Sequence, residues 1–320
     1  MGNARLHVPA RDIPVPESLS EEAQTFLAVG PRETTAPWPP LDDPNAWRER
    51  IAQDNQNMLN MVAGLESIEG ITVEEIMSDG AQIYVATPDG AAGDRRVYLD
   101  VHGGALILGG GECCRASAIG WALRLGVQTW SIDYRMPPEH PYPTPLDDCV
   151  AAYRALLEIR APEDIVVGGG SAGANLAAAL ILRARDEGHP LPAAAVLMTP
   201  EIDLTESGDT FQTNLGVDTV IGPFMLVNLL YAAGHDLSHP YLSPLFGDFT
   251  KGFPPTLLTA GTRDLFLSNA VRMHRALRGA NVSTELHILE AAPHGGFFGA
   301  SPEEADLMND IQRFVNEQWR

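Results

Sequence analysis

From about residue 71 the chain alternates short β-branched runs with longer helical ones, and this rhythm constrains the fold more than any other feature. ITVEEIMS and AQIYVATP flank Asp79-Gly80 and read as a hairpin. RRVYLDVHG, VQTWSIDY, DIVVGGG, AAAVLMTP, PPTLLTAG and TELHILE follow as strands. Between most of them lie the helical stretches ASAIGWALRLG, PLDDCVAAYRALLEI, SAGANLAAALILRARDEG and SNAVRMHRALRGA, and SPEEADLMNDIQRFVNEQWR closes the chain. Such alternation predicts an α/β fold, a mostly parallel central sheet with helices on both faces. At 320 residues and 45% apolar content, the chain can bury one large core and still spare segments for a lid.

Two regions stand outside the rhythm. The first 60 or so residues are polar and Pro-rich, with helices in SLSEEAQTFLAVG and DPNAWRERIAQDNQNMLNMVAG capped by Ser18 and Asp43. Residues 203–250 sit between two strands yet are too long for a crossover, and their centre, IGPFMLVNLLYAAG, is apolar nearly all round. That composition predicts burial, and the position predicts a lid over a pocket. The expected division is a cap from 1–60 and 205–240 on a core from 61–204 and 241–320. No internal repeat and no low-complexity tract interrupts it.

Charge removes several function classes. A formal net charge of −21 repels phosphate backbones and anionic lipid, so neither nucleic acid nor membrane is expected as a partner. Lys251 is the only lysine and no motif surrounds it, which argues against a Walker A loop, a Schiff-base enzyme or a serine–lysine dyad. Three cysteines, two of them the adjacent Cys113 and Cys114, form neither a disulfide framework nor a zinc spacing. MGNARLHVPARDIP lacks an apolar signal core, and Leu6 stands where a myristoylated Gly2 would require Ser or Thr. A cytoplasmic location is the expectation.

Residues 165–179, IVVGGGSAGANLAAA, support two incompatible chemistries. Gly168, Gly170 and Gly173 spell G-x-G-x-x-G, the turn that cradles a dinucleotide pyrophosphate. Gly169, Ser171 and Gly173 spell G-x-S-x-G, the sharp strand-to-helix turn that raises a serine nucleophile. A dinucleotide site also needs an acidic residue closing the next strand. Asp186 and Glu187 fall in the helix tail and Glu201 comes too late. Several strands already precede the turn, whereas that fingerprint opens its first βαβ unit.

The serine reading has partners elsewhere, in order. His102-Gly103-Gly104-Ala105 follows RRVYLDV and can aim the N–H groups of Gly103 and Gly104 at an oxyanion, joined by that of Ala172. Asp264 follows the strand PPTLLTAG, and His294 follows the last strand. Alone, Asp264 would read as a helix cap and His294 as a loop histidine. Together with Ser171 they give the Ser…Asp…His order that distinguishes α/β-hydrolases from chymotrypsin and subtilisin.

With these residues assembled, the sequence resembles the hormone-sensitive-lipase-like family of α/β-hydrolase carboxylesterases. DYRMPPEHPYPTPLDDCVAAYRAL, EIDLTESGDTFQTN, YLSPLFGDFTKGFPPTLLTAG and the PHG of EAAPHGGFFG carry the likeness over roughly residues 75–300. The resemblance implies an α/β-hydrolase core with a helical cap and catalytic Ser171, Asp264 and His294. It further implies an oxyanion hole of Gly103, Gly104 and Ala172, and no cofactor. Short acyl chains are implied as substrates, as is a homodimer pairing through the edge strand near TELHILE. Gibberellin receptors also resemble this family, so a non-catalytic ligand-binding module is the alternative, and lactones or amides are variants of the same acyl-transfer chemistry. Three positions depart from the family pattern: Gly170 replaces an acidic residue before the serine, Ala105 ends HGGA, and Asp264-Leu265-Phe266-Leu267-Ser268 replaces D-P-L-x-D.

Several residues carry structural expectations only. His102 is expected to brace the oxyanion loop, and Arg135, Glu139 and His140 to hold a Pro-rich turn. Gly109-Gly110-Gly111 reads as loop flexibility, and Asn281-Val282-Ser283 as a chance glycosylation sequon. Phe211, Phe224, Met225, Leu229, Phe297 and Phe298 are candidate pocket walls.

Overall fold

A computed structural model describes residues 6–30, 37–62, 68–91, 93–299 and 301–319; the parts of the cap and core assignments at 1–5, 31–36, 63–67, 92, 300 and 320, with Gly2, lie outside them. The strands are β1 (Ile71–Ser78), β2 (Ala81–Pro88), β3 (Val97–Val101), β4 (Gln128–Asp133), β5 (Ile165–Gly170), β6 (Ala194–Met198), β7 (Thr256–Gly261) and β8 (Thr284–Leu289). The helices are α1 (Glu21–Ala28), α2 (Pro44–Val62), α3 (Glu112–Leu125), α4 (Thr144–Leu157) and α5 (Ala172–Asp186). They continue with α6 (Thr210–Thr213), α7 (Met225–Ala232), α8 (Leu267–Gly279) and α9 (Pro302–Gln318).

The eight strands form one sheet in the order β1-β2-β4-β3-β5-β6-β7-β8. β1 and β2 form the expected hairpin, with Ser78 opposite Ala81. Asp79 and Gly80 have φ of +46° and +93°, which suits the two-residue turns that match strand twist. From β4 to β8 every pairing is parallel. Strands covered on both faces lose the polar alternation of an exposed sheet. β3, VYLDV, buries all five residues, a carboxyl included.

One face carries α4, α5 and α8, whose Leu146, Leu176, Met273 and Leu277 join the main core. The other carries α3 and α9, where Trp121, Leu125, Ile311 and Phe314 pack on Tyr98, Val166 and Val196. α5 is buried along almost its whole length, because its Ala-rich sequence lets it lie close against the sheet.

The segments outside the strand–helix rhythm gather near the carboxyl ends of the strands. Trp47 of α2 and Val227 of α7 pack with Ala105 and Ile107, the loop after β3, and Trp38 stacks on Trp47 at 5.7 Å. α1 lies instead against Ala291, Ala292 and Phe297, and Ser20 ties it to Glu303 of α9 at 2.8 Å. Its cap is Ser20, not Ser18, since the Ser20 hydroxyl accepts from Ala23 N–H at 3.2 Å. α7 departs from burial all round: Val227, Tyr231 and Ala232 face inward, but Leu226 and Leu229 are each 37% exposed. As an outermost helix, it has a partner on one side only. Among the described residues no helix is long and apolar enough to cross a membrane.

Candidate active site

Ser171 sits between β5 and α5 with φ +56° and ψ −121°, a conformation L-residues adopt only when their surroundings impose it. A Cβ at Gly173 would lie 1.9 Å from the Val101 carbonyl, and one at Gly169 would lie 2.6 Å from the same atom. These glycines let the turn press against β3; their spacing serves the elbow, not a pyrophosphate. The Ser171 N–H donates to the Met198 carbonyl at 2.8 Å, which fixes the elbow from its other side.

Asp264 follows β7 and His294 follows β8, so both join Ser171 above the carboxyl ends of the sheet, where α/β folds build their sites. His294 Nε2 is 2.8 Å from Ser171 Oγ, and His294 Nδ1 is 3.1 Å from Asp264 Oδ1. The Asp264 carboxylate is fully buried and also accepts from the Phe266 N–H at 2.8 Å in the turn before α8; the residue at the cap position of α8 is Phe266, so the orienting contact to His294 stands and the capping one does not. Burial pulls the His294 pKa down. The charge and hydrogen bond of Asp264, with the charge of Asp218, more than offset that pull, and the imidazole ends above its ordinary value.

The loop after β3 lies against the serine. A Cβ on Gly103 would stand 3.6 Å from Ser171 Cβ. No hydrogen bond among the described residues uses the N–H groups of Gly103, Gly104 or Ala172. His102 Nδ1 contacts the Gly103 carbonyl at 2.7 Å, its ring stacks on Tyr134 at 4.1 Å, and the Tyr134 hydroxyl donates to the His102 carbonyl at 2.9 Å. Burial pushes the His102 pKa down to about 4, so the ring is neutral and Nδ1 carries the donated proton. Because the peptide is planar, holding the Gly103 carbonyl also sets the direction of the Gly104 N–H. The bracing role expected of His102 follows from this contact.

Gly109-Gly110-Gly111 corrects the reading as loop flexibility alone. The Gly109 N–H donates to Asn55 Oδ1 of α2, and the Gly111 N–H to Asp133 Oδ1, both at 3.0 Å. A Cβ at Gly109 would meet the Gly103 carbonyl at 2.7 Å. The triplet is therefore a tightly packed support of the loop in front of Ser171.

A cavity of about 510 Å³ opens over Ser171, His294, Gly103 and Gly104. Of the candidate walls, Phe224 and Phe298 line it. Phe211 packs on Leu265 and Phe266, Phe297 packs beside α1, and Met225 and Leu229 lie outside the cavity. Trp38, Met58, Val220 and Ile221 line it from the segments outside the strand–helix rhythm, and no periodicity in those stretches marked them. A Cβ at Gly170 would meet only Met198 Cε, at 3.8 Å, so the missing side chain widens the cavity.

Sequence reasoning also missed Asp218 and Glu201. Asp218 Oδ2 accepts from the N–H groups of Leu265 at 2.8 Å and His294 at 3.2 Å. Glu201 is buried, and its N–H donates to the Ser171 carbonyl at 3.2 Å. Arg135 pairs with buried Asp148 at 2.6 Å and Glu139 with Arg48 of α2 at 2.6 Å, structural roles as expected. His102, Cys114 and Asp133 place potential metal-ligand atoms within 4.8 Å of one another. Burial holds the Cys114 thiol well above its usual range, which disfavours the thiolate a metal would need.

Fold and site together define an α/β hydrolase. The family model for the α/β-hydrolase fold matches residues 98–298. An acetyl-hydrolase from Streptomyces hygroscopicus is 39% identical over 188 residues, 57% of this chain and 62% of that protein. An esterase from Acinetobacter venetianus is 33% identical over 226 residues, 69% of this chain and 74% of that protein. The crystal structure of an esterase superposes with a TM-score of 0.87 at 33% identity over 99% of both chains. That of an esterase from the bacterial hormone-sensitive lipase family gives 0.80 at 30% identity, over 94% of this chain and 99% of the other. The chain belongs to the hormone-sensitive-lipase-like family of α/β-hydrolases.

Proposed function

We propose that this protein is a serine carboxylesterase that hydrolyses small esters with short acyl chains through an acyl-enzyme. The observation that carries the reading is the unbroken alignment of Ser171, His294 and Asp264 at 2.8 and 3.1 Å. His294 Nε2 takes the hydroxyl proton as Ser171 Oγ attacks the ester carbonyl, while Asp264 holds the Nδ1–H tautomer and stabilises the imidazolium. The developing oxyanion takes hydrogen bonds from Gly103, Gly104 and Ala172. His294 then protonates the departing alcohol and activates the water that frees the serine.

The names of the relatives support ester hydrolysis, and a cavity of about 510 Å³ suits a small ester. A binding-only module would leave the aligned triad without use. The lid of 1–60 and 205–240 over a core of 61–204 and 241–320 is part of the same proposal, as are a homodimer through β8 and a cytoplasmic location. β8 is an edge strand, and the three cysteines are unpaired and buried, which suits a reducing compartment.

The test is hydrolysis of p-nitrophenyl esters of increasing acyl length, with Ser171→Ala alongside. Turnover concentrated in the shortest esters, with kcat falling by about 10⁶ in the variant, is expected. A Ser171→Ala protein that retains near-normal activity overturns the assignment.

A further inference from the structure

The cavity over Ser171 has one chemically distinct group in its lining. Much of its wall is apolar, with Trp38, Met58, Leu108, Ile221, Phe224 and Phe298. Asp100, Ser117 and Trp121 add a polar group to the lining. Asp100 is the carboxyl within the otherwise buried β3 sequence VYLDV, and it is 1% exposed. Among the described residues it takes part in no ion pair. The charge of Arg124 bears on it without forming an ion pair, and a carboxyl at such depth is costly unless hydrogen bonds or a ligand offset the lost solvation.

The protein meets that demand on one side of the group. The hydroxyls of Ser117 and Ser131 both donate to Asp100 Oδ2, each at 2.7 Å, and neither uses Oδ1. Trp121, with Ser117 on α3, is the other side-chain donor that bears on the carboxyl. Burial pushes the Asp100 pKa up to about 6 against these hydrogen bonds, so near neutral pH the group is mainly an acceptor.

Register sets the distance. Asp100 pairs with Gly168, three residues before Ser171, which corresponds to roughly 10 Å along the strand at ~3.3 Å per residue. Gly170 and Met198 also line the cavity, and the absent side chain at Gly170 leaves room beside Met198.

We propose that Asp100 and Ser117 form a specificity subsite for an acyl chain whose far end donates a hydrogen bond, through a hydroxyl or a primary ammonium. The proposal deepens the esterase reading and rests on it. Asp100 accepts from the donor, and the lone pairs of Ser117 Oγ lie beside it. An acyl chain of the same length ending in a methyl group would strip water from the carboxyl and return nothing. Sites built to hydrogen-bond a substrate discriminate against analogues that lack the group by far more than a methylene is worth.

The experiment compares kcat/KM for ethyl 6-hydroxyhexanoate, ethyl 6-aminohexanoate and ethyl heptanoate in a pH-stat, with ethyl acetate as reference. At least about tenfold preference for one of the donor-bearing esters over heptanoate is expected. A preference for the hydroxyl ester alone identifies a neutral donor, and one for the amino ester identifies a cation. Asp100→Leu is expected to abolish the preference; a donor preference that survives it overturns the proposal. Should that variant fail to fold, the wild-type ratio decides. Heptanoate equal to or better than both donor esters overturns the proposal while acetate turnover leaves the esterase reading standing. Absence of turnover on acetate and on every other ester overturns both.

Discussion

The carboxylate of Asp218, in the long insertion, accepts from the backbone N–H of His294 at 3.2 Å. Its two oxygens also take the N–H groups of Leu265, Val220 and Ile221, at 2.8, 2.9 and 3.2 Å. One side chain therefore ties the loop bearing His294, the residue after Asp264 and two cavity-lining positions. Asp218→Ala frees four N–H groups and loosens both loops, so kcat is expected to fall by on the order of 10²-fold, with a smaller change in KM. Asp218→Asn keeps one accepting oxygen and is expected to fall between. Steady-state kinetics separate these outcomes, and an unchanged kcat in the alanine variant rules out a positioning role.

A raised His294 pKa has a direct kinetic consequence. The base must be neutral to accept the serine proton, so kcat/KM rises with pH through the histidine pKa. Burial lowers that pKa, and the charge and hydrogen bond of Asp264, joined by the charge of Asp218, outweigh it, so the acid limb should have its midpoint above the ordinary histidine value of 6.5. Asp264→Asn removes the nearest charge and disturbs the tautomer. The midpoint is then expected to move down and kcat to fall by about 10⁴. A pH–rate profile of the two proteins checks both. A midpoint unmoved by the substitution contradicts the electrostatic account.

The strand pattern and the turn at Ser171 were legible because each is written locally. β-branched runs mark buried parallel strands, and a small–Ser–small turn can be packed in few ways. The 203–250 segment was legible only as a length anomaly: IGPFMLVNLLYAAG reads as apolar all round, yet Leu226 and Leu229 are each 37% exposed on the outward side of α7. Trp38 and Met58 reach the cavity through contacts between segments far apart in sequence, which no periodicity encodes. Asp218 and Glu201 stayed hidden for a similar reason. An acidic residue in an acidic chain reads as solvated until the fold buries it.

Glu201 gives a stability prediction. Burial pushes its carboxyl from 4.5 up to about 8, so between those values the folded chain holds a proton that the unfolded chain has released. The associated stability is fully present below the lower value and is lost as pH rises through the upper one. Gln at this position cannot ionise and avoids that loss. Thermal unfolding of wild type and Glu201→Gln from about pH 5 to about pH 9 should show the variant gaining relative to wild type as pH rises. Parallel Tm curves would mean that Glu201 keeps its unfolded-state pKa.

Two glycines in the support loop separate clash from strain. Gly109 has φ +92°, and a Cβ there would stand 2.7 Å from the Gly103 carbonyl and 3.0 Å from His102 Nδ1. Those two atoms make the contact that orients the Gly104 N–H. Gly111 has φ +61°, but a Cβ there would meet nothing within 4 Å. Gly111→Ala should therefore cost about 1 kcal/mol of stability from backbone strain and leave kcat nearly unchanged. Gly109→Ala pays similar strain and also displaces the Gly103 carbonyl, so kcat should drop toward the ~10²-fold loss typical of a missing oxyanion donor. Measuring kcat and Tm for both variants tests the difference. Equal kcat values would show that the Gly103 peptide is not held through Gly109, and that the oxyanion loop takes its shape from His102 and Tyr134 alone.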